Sequence, residues 1–275
     1  MSQLQVSSTD YIKFKHYLEQ QCGIVLGDNK QYLVQSRMGR VLREEKIADF
    51  NVFLSRLEAR TGHQLRQKTI DAMTTNETLW FRDAHPFEFL QDDVLPQLAK
   101  KKSRIRIWCA ACSSGQEPYS ISMIVEELIA KGRLSPSCHV DIVATDISMD
   151  ILNSAKSGLY SKLALGRGLS PARMGQFFTE AGTQWQLNDK IRRRVTFTQL
   201  NLKDPFTGLG SFDIVFCRNV LIYFSSVFKT DILRKIHGQL NKDGVLFLGA
   251  SESLAGLREQ YEMRQYKPGI AYFAK

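Results

Sequence analysis

The chain has 275 residues, 43% hydrophobic and 24% charged, with a formal net charge of +9. That composition excludes a disordered or low-complexity protein and supplies enough apolar surface for one large domain or two smaller ones. The first ten residues are polar, and no run approaches the roughly 20 apolar residues of a membrane span, so a cytoplasmic protein without membrane insertion is expected.

The positive charge points to an acidic partner, whether nucleic acid, anionic membrane or acidic protein surface, and does not choose among them. Between Tyr11 and Ala72, apolar residues recur three or four apart: Tyr11, Phe14, Tyr17, Leu18 and Cys22, then Phe50, Phe53, Leu54 and Leu57. The spacing predicts an all-helical N-terminal domain over 1–75, about four helices long, with breaks at Gly23, Gly27-Asp28 and Thr61-Gly62. Such helices are too short to stand without packing on one another. Arg37, Arg40 and Arg43, three apart, form a basic stripe along one of them.

A linker over 76–100 follows, and from Arg104 the pattern changes. Short apolar strands over 105–109, 140–145, 195–199, 212–217 and 245–249 alternate with amphipathic helices such as 118–130 and 229–240. This alternation predicts a parallel, doubly wound sheet with both faces covered. The tail, 261–266 and 270–274 about Lys267-Pro268-Gly269, predicts a closing β-hairpin. Residues 166–194 fit neither regime. A short helix over 171–177, two alternating stretches about Ala181-Gly182-Thr183 and the exit Arg192-Arg193-Arg194 suit a small inserted β-hairpin or a solvated loop.

Five cysteines are scattered along the chain. Cys109 and Cys112 form a C-x-x-C, but no second pair accompanies them, so they read as small residues at the end of a core strand and no metal is expected.

In an open α/β sheet the ligand sits at the carboxyl ends of the strands. The first strand leads into Cys109-Ala110-Ala111-Cys112-Ser113-Ser114-Gly115, small residues that let a ligand approach the backbone. The glycine spacing of a dinucleotide cradle is missing. Asp146, ending the second strand, is placed either to accept hydrogen bonds from ribose hydroxyls or to cap the next helix.

The fourth strand runs into Cys217-Arg218-Asn219-Val220-Leu221-Ile222-Tyr223-Phe224. Together with Thr75-Asn76-Glu77-Thr78-Leu79-Trp80-Phe81-Arg82 and Gly115-Gln116-Glu117-Pro118-Tyr119-Ser120, this string resembles the chemoreceptor glutamate methyltransferases, the CheR family. The similarity extends over essentially the whole chain. It implies a Rossmann-like S-adenosylmethionine methyltransferase sheet over 101–275, with an inserted β-subdomain over 166–194, behind the helical domain. It implies S-adenosyl-L-methionine as cofactor and S-adenosyl-L-homocysteine as product. The implied substrates are glutamate carboxylates on the cytoplasmic signalling domain of chemoreceptors, methylated for chemotactic adaptation by an enzyme recruited to membrane receptor arrays.

Carried over position by position, the resemblance implies that Asn76, Thr78 and Arg82 fold over the cofactor from the linker. Glu117 meets its methionine end, Asp146 its ribose hydroxyls, and Asn201 and Leu202 flank the adenine. Arg218 and Asn219 close the pocket, while Arg82 and Tyr223 stand beside the transferred methyl. The helical domain approaches the receptor, which makes Arg37, Arg40 and Arg43 candidates for receptor binding. Some members dock a C-terminal receptor pentapeptide on a longer, glycine-richer hairpin. The short one about Gly182 is a departure, and action without that tether is expected. A nucleic-acid methyltransferase is the rival reading. It is disfavoured because Arg218-Asn219-Val220-Leu221 stands where amino-methylating enzymes carry an Asn/Asp-Pro-Pro-aromatic motif, and because the basic groups are not interleaved with aromatics.

Overall fold

The computed structural model describes residues 5–266 and 269–275. Lys267 and Pro268, in the expected closing turn, lie outside the described residues.

Four helices open the chain: α1 (Ser8–Cys22), α2 (Gln31–Glu44), α3 (Phe50–Glu58) and α4 (His63–Met73). Ser7 caps α1 by accepting from the Asp10 amide, and Asp49 caps α3 through the Asn51 and Val52 amides. Their apolar stripes meet in a core of their own, with Phe14, Leu18, Val34, Met38, Phe53 and Leu57 at its centre. The linker is half helical. After an extended stretch come α5 (His85–Phe89), one π turn (Leu90–Val94) and α6 (Leu95–Ala99), which lay Phe87, Phe89, Leu90 and Leu95 against the sheet.

The second layer is built from β1 (Arg104–Ala110), α7 (Gln116–Ala130), β2 (His139–Asp146) and α8 (Met149–Ser157), then β3 (Leu159–Ser161), α9 (Lys162–Leu165) and α10 (Pro171–Phe177). β4 (Phe178–Ala181), β5 (Gln184–Leu187), α11 (Asp189–Arg192), β6 (Val195–Gln199) and β7 (Phe212–Cys217) follow. The chain ends with α12 (Ser226–His237), β8 (Leu240–Leu248), β9 (Tyr261–Tyr266) and β10 (Gly269–Ala274). The main sheet has the order β6-β2-β1-β7-β8-β10-β9. Its first five strands are parallel, and β10 pairs antiparallel with both β8 and β9.

The period of two is visible in which core each residue joins. Ile105, Ile107 and Cys109 of β1 face α7, while Trp108 and Ala110 face the side covered by α12. Both faces are therefore dry, and the strands read as near-continuous apolar runs. α12 stops at His237, three residues before the expected end, and Leu240 already belongs to β8.

The expected hairpin over 166–194 is present as β4 and β5, joined through Gly182 in the left-handed region. It is one strand larger than expected. β3 pairs antiparallel with β5, so the small sheet runs β3-β5-β4 and begins at Leu159. Three residues are too few for any period to mark β3 in the sequence. Trp80 of the linker plugs into this sheet: its ring meets Tyr160 and Phe178 edge-on, and its indole N–H donates to the Ala164 carbonyl (3.1 Å). Gly168 makes room for it, since a Cβ there would lie 2.2 Å from the Trp80 carbonyl oxygen.

All five cysteines are buried and none is paired. Among the described residues no helix is long and apolar enough to cross a membrane, and no group of His, Cys, Asp or Glu could hold a metal ion.

Candidate active site

A cleft with an empty volume of about 1020 Å³ opens at the carboxyl ends of β1, β2, β6 and β7. The linker roofs it, and the end of α1 closes one side through Cys22 and Ile24. Asn76, Thr78, Arg82, Glu117, Asp146, Asn201, Leu202, Arg218, Asn219 and Tyr223 all line it. Residues far apart in sequence thus share one wall because parallel strands bring their carboxyl ends to one edge.

The loop after β1 alternates into the left-handed region at Ala111, Ser113 and Gly115. Its shape is held from outside. The Ser113 amide donates to one oxygen of Asp146 (2.8 Å), and the Ser148 amide to the other (3.0 Å). The Ser113 hydroxyl donates to the Asn76 carbonyl (2.8 Å), which fastens the linker to the same loop. The helix cap on α8 belongs to Ser148, whose hydroxyl accepts from Ile151, so Asp146 keeps a place on the cleft wall. Burial pushes the Asp146 carboxyl above its ordinary range, against the downward pull of the backbone amides.

On the opposite wall lies a buried ion cluster. Arg218 donates through Nη1 to Glu117 (3.0 Å) and through Nη2 to Asp83 (2.7 Å) and the Arg82 carbonyl (2.8 Å). Its side chain is 2% exposed, and its Nε–H has no partner among the described residues. Burial raises the Glu117 carboxyl above the usual range, and the adjoining guanidinium only partly offsets it. Arg218 therefore also pins the linker where its backbone is least relaxed, because Phe81, Asp83 and Ala84 all have positive φ without being glycine. That turn carries Arg82, which lines the cleft and donates to the Glu77 carbonyl (3.2 Å).

Tyr223 ends the 3-10 turn Leu221–Tyr223 that follows β7. The helical domain grips it: the Val25 amide donates to the Tyr223 carbonyl (2.9 Å), and Ile24 bridges Phe224. Gly23 permits the approach, with φ of 78° and no space for a Cβ against the Phe228 ring. Asn201 has a second task, donating its amide to the Gln21 carbonyl at the end of α1 (2.7 Å). Neither contact has a sequence signal beyond Gly23. Sequence reasoning also misses Asp83, Ser113 and Glu252, since each acts on backbone groups or a guanidinium remote in sequence.

Residues 9–74 match the model of the CheR methyltransferase all-alpha domain, and residues 76–270 that of the CheR methyltransferase SAM-binding domain. The chain belongs to the CheR methyltransferase family. It is 50% identical over 275 residues to a chemotaxis protein methyltransferase 1 of Pseudomonas aeruginosa, covering 99% of this chain and all of that one. It is 49% identical over 277 residues to a chemotaxis protein methyltransferase of Vibrio parahaemolyticus, covering both chains fully. This CheR methyltransferase is accordingly an S-adenosyl-L-methionine-dependent enzyme of the chemotaxis class.

The cleft suits that cofactor. Two carboxylates on its wall, the buried Asp146 and the largely buried Glu117, favour a cationic ligand with hydroxyl donors. In this CheR chain the expected basic stripe divides. Arg37 turns inward, donating to the Met73 (2.6 Å) and Thr74 (3.1 Å) carbonyls and to the Thr75 hydroxyl (3.1 Å), where it braces the linker. Arg40 and Arg43 stay exposed, and Arg40 pairs with Glu44 (3.3 Å).

Proposed function

We propose that this enzyme transfers a methyl group to glutamate side-chain carboxylates on the cytoplasmic signalling domains of bacterial chemoreceptors, yielding glutamate methyl esters. The supporting observation is the absence of a general base. Among the described residues lining the cleft there is no histidine. The three carboxylates that line it are already engaged, Glu117 by Arg218, Asp146 by backbone amides and Glu77 by Arg167 (2.8 Å). An amine or hydroxyl acceptor would need deprotonation. A glutamate, with an ordinary pKa of about 4.3, is ionised at neutral pH.

Asn76, Thr78, Glu117, Asp146, Asn201, Leu202, Arg218 and Asn219 would hold S-adenosyl-L-methionine, which would supply an electrophilic methyl on a sulfonium leaving group. The protein must then align a carboxylate and keep water out. Arg82 attracts and orients the carboxylate, and the Tyr223 hydroxyl fixes its second oxygen without a bidentate grip that would blunt the nucleophile. The test is transfer of radiolabelled methyl to chemoreceptor-containing membranes followed by mild alkali. Label that leaves as volatile methanol establishes the ester, whereas alkali-stable label refutes it. In the same assay Arg82→Ala is expected to slow transfer about a hundredfold and Tyr223→Phe about tenfold. Wild-type rates in both would remove these roles.

Arg40 and Arg43 are the exposed cations on α2 that suit an acidic, glutamate-bearing receptor surface. Reversing both to Glu is expected to raise KM for receptor membranes about tenfold at low salt. The gap should narrow as NaCl is added, and a salt-independent KM would exclude α2 from docking. The β4–β5 hairpin turns on two residues, Gly182 and Thr183, which favours action without a C-terminal receptor tether. A cytoplasmic enzyme recruited to receptor arrays is the setting this reading requires.

A further inference from the structure

We infer that Glu252 is a positioning residue for methyl transfer, its carboxylate holding the backbone after β7 in the shape that presents Asn219 and Tyr223 to the cleft. The inference rests on the role proposed above for Tyr223. Glu252 is not among the residues that line the cleft, yet four backbone amides converge on it. One carboxylate oxygen accepts from Val220 (2.9 Å) and Leu221 (2.7 Å), the other from Asn219 (2.8 Å) and Gly249 (2.8 Å). Three successive amides pointing at one anion make a backbone nest, and here the anion belongs to the chain itself.

Asn219 has φ of 58°, a conformation that costs a residue with a Cβ and persists only where its surroundings impose it. The amides of 219–221 supply that constraint by their common acceptor. The last of them, Leu221, begins the 3-10 turn that ends at Tyr223. On the far side the Val25 amide holds the Tyr223 carbonyl, so the turn is fastened at both ends. The seat is tightly built: a Cβ on Gly249 would lie 2.7 Å from the carboxylate oxygen and 2.9 Å from the Asn219 nitrogen. The negative charge also reaches Glu117, where it adds to the effect of burial.

Glu252→Gln tests this because it keeps the shape while turning an amide NH₂ toward two of the four N–H groups in either rotamer. Transfer is measured with S-adenosyl-L-methionine and chemoreceptor-containing membranes, alone and combined with Tyr223→Phe. With Tyr223 present, Glu252→Gln is expected to lower kcat about tenfold or more. In the Tyr223→Phe background it should cost less than about threefold, because no hydroxyl remains to be misplaced. The same factor in both backgrounds, or a folded Glu252→Gln enzyme with wild-type kcat, overturns the inference. If Glu252→Gln does not fold, Gly249→Ala, which dislodges the same carboxylate, is carried through the same cycle with the same criteria. If Tyr223→Phe alone transfers at the wild-type rate, the failure lies with the role of Tyr223. Glu252 is then judged through Asn219: S-adenosyl-L-homocysteine affinity about tenfold weaker in Glu252→Gln upholds the positioning role, and unchanged affinity ends it.

Discussion

Arg218→Met should abolish measurable S-adenosyl-L-homocysteine binding and lower stability by about 3–5 kcal/mol, the usual cost of removing one partner from a buried ion pair. Methionine fills much of the same space, so the loss is electrostatic rather than a cavity. Glu117 would remain buried without its cation, and Asp83 and the Arg82 carbonyl would lose the donor that holds the linker down. The pH dependence identifies the cause. Without Arg218 the Glu117 carboxyl, already raised by burial, rises further. An acid with a folded-state pKa above its unfolded one binds its proton more tightly when folded, so stability is highest below the unfolded value and is lost as pH climbs through the folded one. The deficit of the variant should therefore be full near pH 8 and shrink toward pH 5 in urea unfolding. A deficit independent of pH would mean that Glu117 is not the group left stranded.

Trp80→Ala should cost about 3–5 kcal/mol through the cavity it leaves, roughly a 10 °C fall in melting temperature for a chain of this size. Trp80 is 1% exposed and joins the linker to the three-stranded sheet by two edge-on ring contacts, its indole hydrogen bond and a backbone bond from its amide to the Arg167 carbonyl (3.1 Å). It stands between Thr78 and Arg82, so a linker freed there also loses its grip on the cleft, and S-adenosyl-L-homocysteine affinity should fall with stability. Trp80→Phe is the control. It keeps most of the packing and forfeits one hydrogen bond, about 1 kcal/mol. If Trp80→Ala melts like the wild type, the plug is not what seats the linker on the β-subdomain.

Elements with their own period are legible in the amino-acid sequence. Phe14, Leu18, Phe53 and Leu57 announce the helical core by their spacing, and the strands over 195–199 and 212–217 fall at their observed bounds. The cleft residues are legible for a different reason: three strings carry a resemblance, and every cofactor position it implies lines one cavity. What stays hidden is of two kinds. β3 has three residues, fewer than any periodicity can mark, so the small sheet looks like a hairpin. Arg37 looks like part of a surface stripe because helical spacing says which face a residue occupies and not what carbonyls wait there.

Apolar period, breakers and local motifs act over a few residues, which is why sequence suffices for the classes of structure, the order of the elements and the identity of the cleft. How that cleft is braced is settled by tertiary contacts alone. Glu252 reaches back 33 residues to the Asn219 amide, Arg218 reaches Asp83 across 135, and Asn201 reaches Gln21 across 180. These bonds satisfy backbone groups and buried charges that exist only once the chain has folded, so no local spacing can encode their partners.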